Sequence, residues 1–216
     1  GYNHRPANTD HAEVIYIAAS DVTVEDSYFH DNGGAAVIAN SNTAQMQDLT
    51  FRRLRLRNNG TISAAYGNGV AFNTTGNISF SGVKNSKAHD IIITESHNGL
   101  ASRSGAISWR WSNNVEVYNV SIYGADGPCL WTDTNATGAR IQNVIYRDCN
   151  RVEGVGALSN EGISTVQVNN RSPTDSDPLF KDAANGDLTL LAGSPAINAG
   201  SAANISRACN GSCDQG

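Results

Sequence analysis

Apolar and polar residues alternate along this chain in short runs, and the runs recur. "VTVEDSYF" from Val22, "LTFRRLRL" from Leu49, "IIITESHN" from Ile91, "VEVYNVSI" from Val115 and "ARIQNVIY" from Ala139 can be written in one register, with "ISTVQV" from Ile163 as a sixth. The last three steps between their starts are 24 residues each, and the earlier ones are 27 and 42. One unit therefore carries about 18 extra residues, which this register places within 73–90. Alternation with period two puts every second side chain on one face, the mark of a strand with one buried side. Each run is followed by a second short apolar run, usually after a glycine: "GAAVIAN", "GAISWRW", "GPCLWTD", "GVGALSN" and, in the long unit, "NGVAFNT".

A unit of this size with two or three short strands and no helix cannot bury its own apolar face. Stacked units can, because each covers the next and the core becomes continuous. The pattern predicts an all-β chain, a parallel β-helix over residues 1–168, with an irregular tail over 169–216 packed along it. A β-sandwich also has many short strands, but it gives no reason for a constant step with the same internal pattern.

Matching the second runs places Val37, Val70, Ile107 and Leu130 inward, with Ala39, Phe72, Trp109 and Thr132 two residues on. Trp109 is then core and Trp111 falls at a turn. Trp131 aligns with Ile38, Ala71 and Ser108 and points outward, as do Arg110 and Asp133. Arg110, Trp131 and Asp133 would form a sugar-binding face: C–H groups stack on the indole while the guanidinium and carboxylate take the hydroxyls. "RRLRLR" at 52–57 alternates too, with Leu54 and Leu56 inward. Arg53 is expected between Asp26 and Glu95, and Arg55 between Tyr28 and His97, as a charge-compensated ladder rather than an anion track. Asn119 and Asn143 share one offset in consecutive units, which predicts an amide stack and makes Asn119 a poor glycan acceptor.

Charge narrows the function classes. The chain has 216 residues, net charge −5 and only 16% charged residues, so no basic excess points to nucleic acid. No apolar run approaches the roughly 20 residues of a membrane helix. The five histidines (His4, His11, His30, His89, His97) show no metal spacing. Four cysteines without a CxxC pair predict disulfides, a local Cys209–Cys213 and a Cys129–Cys149 bridge between consecutive units, and hence an oxidising, extracellular or cell-surface setting. Sequons at Asn59, Asn73, Asn77, Asn135, Asn170, Asn204 and Asn210 supply candidate glycosylation sites. The opening "GYNHRPANTD" lies inside the repeat pattern. It suggests a mature product, a cut fragment or one module of a longer protein, with its first unit able to meet preceding protein or a neighbouring copy end to end.

The repeat resembles the right-handed parallel β-helix proteins of the pectate-lyase-like superfamily. The tail motifs "SDPLF", "NGDLTL" and "GSPAINAG" resemble the closing segment of secreted bacterial members. "NSKAHD" followed by "GAISWRW" is similar to the lysine and arginine of alginate- and chondroitin-type lyases. That resemblance implies Lys87 as the base and Arg110 as its assistant, with calcium neutralising a uronate carboxylate. The acids that hold calcium in those enzymes have no counterpart in "NISFSGVKNS". No metal ligand and no cofactor is therefore expected, with calcium entering only if the chain is a lyase. The favoured expectation is an extracellular module of a glycosylated fibre, adhesin or surface structure that engages a polysaccharide or other glycan. The alternative is a polysaccharide lyase acting by β-elimination.

Overall fold

A computed structural model describes residues 14–40, 46–60, 78–97, 105–132, 136–149, 158–160, 166–168 and 177–201, with the backbone alone at 40, 78–81, 110, 158–160 and 166–168. The described residues are almost entirely β, with a single three-residue 3-10 turn. Two six-stranded parallel sheets dominate. One is built of short strands: Ile15–Ile17, Val37–Asn40, Ile78–Ser81, Ile107–Arg110, Leu130–Thr132 and Leu158–Asn160. The other runs Thr23–His30, Thr50–Asn59, Lys87–Ser96, Glu116–Ala125, Arg140–Cys149 and Val166–Val168. The chain visits the two sheets alternately, and every strand pairs with the strand one circuit later. Ala39, Ile107, Trp109 and Leu130 from the short strands share one core with Phe51, Leu54, Ile93, Val120 and Val144 from the long ones.

Why the long strands bend is visible in their backbone. Residues 21, 26 and 31 have φ near +55°, and so do 48, 53 and 58, then 85, 90 and 95, then 119 and 143. With residues 114, 124, 138 and 148, also at positive φ, each circuit carries three left-handed residues at five-residue spacing. Thirteen of these fifteen are Asp, Asn or Gly, the residues that occupy this region at least cost. The exceptions, Arg53 and Glu95, are each held by ion pairs, to Asp26 and Glu25 and to Arg57. Stacked corners bond to one another. Asn143 Nδ2 donates to Asn119 Oδ1 at 3.1 Å, and Asn119 Nδ2 to Asp90 Oδ1 at 3.2 Å. Asn114 donates to Asn85 and Asn58 to Asp31 in the flanking columns. The expected amide stack is present, as one of three.

The register corrects the repeat. Thr23, Thr50, Lys87, Glu116, Arg140 and Val166 form one row, so the steps are 27, 37, 29, 24 and 26 residues. Val22 and Leu49, and Val115 and Ala139, are correctly matched; Ile91 is not, because Ser86 takes that place. The five-residue spacing of the corners explains the slip: sliding a circuit by five residues keeps both the alternation and the corner position. The second strand of the long circuit is Ile78–Ser81, not "NGVAFNT", so Trp109 stands beside Phe80 rather than Phe72. Arg53 consequently lies beside Asp90 rather than Glu95, and Arg55 beside Ile92 rather than His97.

The described tail is a small antiparallel hairpin, Phe180–Asp182 with Asp187–Leu190, more regular than expected. Phe180, Leu188 and Ala196 pack on Ile145, an outward residue of the long-strand sheet. At its far end Arg55 donates to the Gly186 carbonyl. Gly186 has φ of +82°, and a Cβ there would sit 3.4 Å from that guanidinium. Ser201 caps the amide stack, its N–H donating to Asn143 Oδ1 and its carbonyl accepting from Asn143 Nδ2 and Gln142 Nε2. The Cys129–Cys149 disulfide is present, with Cα atoms 5.5 Å apart. Cys209 and Cys213 lie outside the described residues.

Candidate functional site

Outward rows of the sheets decide what a ligand could meet. On the short-strand sheet one such row contains Ile38, Ser108 and Trp131. All three are fully buried, and neither Ile38 nor Trp131 belongs to the shared core. Trp131 faces outward as expected, but it is 1% exposed, so it does not offer the open stacking surface expected of it in the face drawn from Arg110, Trp131 and Asp133. Alternation reports which way a side chain points, not whether something covers it. Its indole N–H has no partner. The Arg110 side chain and Asp133 lie outside the described residues. Trp109 is fully buried, as expected.

The exposed tryptophan is Trp111, at 44%. It occupies a left-handed corner with φ of +50°, unusual for so bulky a residue. The residue beside it one circuit earlier is Gly82, also at positive φ. Sequence reasoning had put Trp111 at a turn without giving it a role. The signal that could have raised it is that two of three tryptophans lie in strands and this one lies past the end of one.

From Trp111 the chain passes through Ser112, which is buried, to Asn113, which pairs with Lys84 of the preceding circuit. Val83 points into the core, so Lys84 points out. Past the next corner come Lys87 and its neighbours along the stack, Thr50, Glu116 and Arg140. Beside them runs a second outward row in which His89 stacks on Tyr118 with ring centroids 4.6 Å apart. His89 and Tyr118 are both buried, and His89 is held by Asp90 at 3.0 Å. Lys87 and Arg110 are not stacked. The circuit between them measures 29 residues, so a spacing of 23 falls six short, and Arg110 stands beside Ser81. Glu116 is a single carboxylate between two cations, which does not fit calcium's need for several oxygen ligands. Among the described residues no cluster of three or more His, Cys, Asp or Glu could hold a metal.

The arginines of "RRLRLR" are engaged. Arg53 makes bonds of 2.6 and 2.7 Å to Asp26 and one of 2.6 Å to Glu25, which also takes Arg52. These contacts hold Glu25 and Asp26 below the usual carboxylate range, chiefly through the hydrogen bonds from Arg52 and Arg53 respectively. Arg55 lies 5.6 Å from the centre of the Tyr28 ring, and Arg57 pairs with Glu95 at 3.2 Å. The charge-compensated ladder is the arrangement found. Because the folded pKa values of Glu25 and Asp26 are depressed, their contribution is present above the ordinary carboxylate range near pH 4 and lost as pH falls through the folded values. Arg53→Gln should therefore flatten the acid limb of a stability–pH curve between about pH 4 and 2. An unchanged limb would show the pairs to be energetically idle, as many exposed pairs are.

A second polar chain joins four circuits. His97 Nδ1 meets Asp126 at 2.7 Å, its Nε2 meets Asn58 Oδ1 at 3.0 Å, and Asn58 donates to Asp31, which contacts His30. Hydrogen bonds from His30 and then Asn58 hold the Asp31 carboxyl below its usual range. Every group in it is partnered within the stack.

Asn59, a candidate glycan acceptor, is not exposed in the folded chain. It is fully buried, accepts from Asn32 Nδ2 at 2.7 Å and donates to the Phe29 carbonyl at 3.1 Å. The sequons at Asn73, Asn77, Asn135, Asn170, Asn204 and Asn210 lie outside the described residues. Among the described residues no helix is long and apolar enough to cross a membrane.

No protein-family model matches this chain, and no curated protein does. Among solved structures it is similar to a crystal structure named as a "putative glycosyl hydrolase" from Parabacteroides merdae ATCC 43184. The two are 12% identical with a TM-score of 0.53, over 78% of this chain and 82% of that one. At that identity the likeness is one of fold.

Proposed function

We propose that the chain is a right-handed parallel β-helix acting as a carbohydrate-engaging module of an extracellular, glycosylated structure. Alternating visits to two parallel sheets support the β-helix, and the near-universal right-handedness of parallel crossovers supports its hand. The Cys129–Cys149 bridge fits an oxidising compartment. The observation that carries the carbohydrate reading is Trp111, an indole displayed at a strained corner on a rigid stack, where a flat apolar surface can meet the C–H face of a sugar. The fold shared with a protein named for glycosyl hydrolysis is consistent with it.

Since Trp109 and Trp131 are buried, fluorescence quenching by iodide should report Trp111. Neutral and acidic oligosaccharides are expected to protect it, and Trp111→Ala to abolish binding measured by calorimetry. A panel on which no oligosaccharide changes quenching or gives heat would overturn the reading.

The lyase alternative has one observation in its favour: Lys87 is half-buried and, among the described residues, makes no side-chain hydrogen bond or ion pair. Absorbance at 235 nm would reveal unsaturated products from uronate polysaccharides with added calcium. Product from the unmodified chain that disappears in Lys87→Ala would replace the module reading with the lyase.

A further inference from the structure

Nearly every described basic side chain is spent. Arg52, Arg53, Arg57, Arg147 and Lys181 pair with carboxylates, and Arg55 with a carbonyl and a ring. Arg140 also has a partner. Lys84 and Lys87 are different: among the described residues their ammonium groups make no hydrogen bond or ion pair. In a chain of net charge −5, two such lysines only three residues apart are not explained by packing.

They flank the left-handed corner at Asn85, both pointing outward, since Val83 and Ala88 belong to the core. Lys84 pairs through its backbone with Asn113, two residues beyond Trp111 on the next circuit. The exposed indole and the two ammonium groups thus belong to one outer surface. Glu116, the register neighbour of Lys87, is the one acid in that row and, among the described residues, has no ion-pair partner. It and Asp48, whose backbone N–H donates to the Lys84 carbonyl at 3.2 Å, are acids near this corner, and among the described residues neither forms an ion pair with Lys84 or Lys87.

Resting on the carbohydrate reading, we infer that the corner formed by Trp111, Lys84 and Lys87 is a binding site for an acidic oligosaccharide. A pyranose ring stacks on Trp111, and the carboxylate or sulfate it carries is taken by the lysines. Lysine suits this task as a mobile point charge that accepts an anion without demanding a fixed fork geometry. The attraction is between half-exposed groups and falls with ionic strength.

The test uses the whole chain and three oligosaccharides of matched length, one neutral, one carboxylated and one sulfated, titrated by calorimetry and Trp111 quenching at low and high salt. The acidic ligands are expected to bind at least tenfold tighter than the neutral one at low salt, with the preference shrinking at high salt. Lys84→Gln/Lys87→Gln should remove the preference, with the acidic ligands falling to the affinity of the neutral one on the same variant, while circular dichroism stays unchanged. The carboxylated and sulfated arms tell which anion is preferred. Equal binding of neutral and acidic ligands overturns the inference and leaves the carbohydrate reading standing, as does a preference that survives the double substitution. Failure of every ligand to bind removes the carbohydrate reading itself.

Discussion

Trp109→Ala should lower the free energy of unfolding by about 3–5 kcal/mol, the usual cost of emptying an aromatic's place in a core that cannot collapse around it. Trp109 is fully buried and stands in register between Phe80 and Thr132, so its removal opens a void spanning neighbouring circuits. Its indole nitrogen has no hydrogen-bond partner, so the loss is one of packing alone. Trp109→Phe should then recover much of the difference, since it restores apolar volume. Denaturant midpoints of the three proteins measure this. A loss under 1 kcal/mol for the alanine would mean that the interior relaxes freely, contrary to a close-packed stack.

Asn143→Ala is expected to cost about 3 kcal/mol, combining the left-handed backbone penalty of about 1–2 kcal/mol with hydrogen bonds worth about 1 kcal/mol each. Asn143 is fully buried with φ of +52° and bonds to Asn119 and to both backbone groups of Ser201. Asn143→Gly keeps the backbone conformation and loses only the bonds, so glycine should be the milder substitution, the reverse of the usual order in strands. Both variants should also free the chain around Ser201 for limited proteolysis, because the amide that anchors it is gone. Alanine proving milder than glycine would refute the left-handed corner as the source of the cost.

The same corners mark how far sequence reasoning reached. Short alternating runs, their recurrence and the glycine before the second run pointed to an all-β stack with a shared core, and Trp109, Leu54 and Leu56 were placed in it correctly. The exact steps were not legible. Asn85, Asp90 and Glu95 repeat at the same spacing as Asn114, Asn119 and Gly124, so a five-residue slip looks as good as the true register. Only the hydrogen-bonded pairing of Lys87 with Glu116 breaks that tie. The lysine–arginine pair suggested by resemblance was lost to the same slip.

By itself the sequence determined the class of fold, the disulfide between Cys129 and Cys149, the amide stack and the compensation of the arginine ladder. Each of these depends on residues near in the repeat, where chemistry and period constrain one another. Tertiary structure decided which surfaces are open. Trp131 points outward from a strand, yet it is covered while Trp111 at its turn is displayed, and Asn59 satisfies a sequon while lying sealed against Asn32. Covering is a property of distant chain brought across a face, as the hairpin of Phe180 and Leu188 is brought across Ile145. A local pattern fixes the direction of a side chain through backbone geometry, but its contact with solvent depends on what the remainder of the chain places over it.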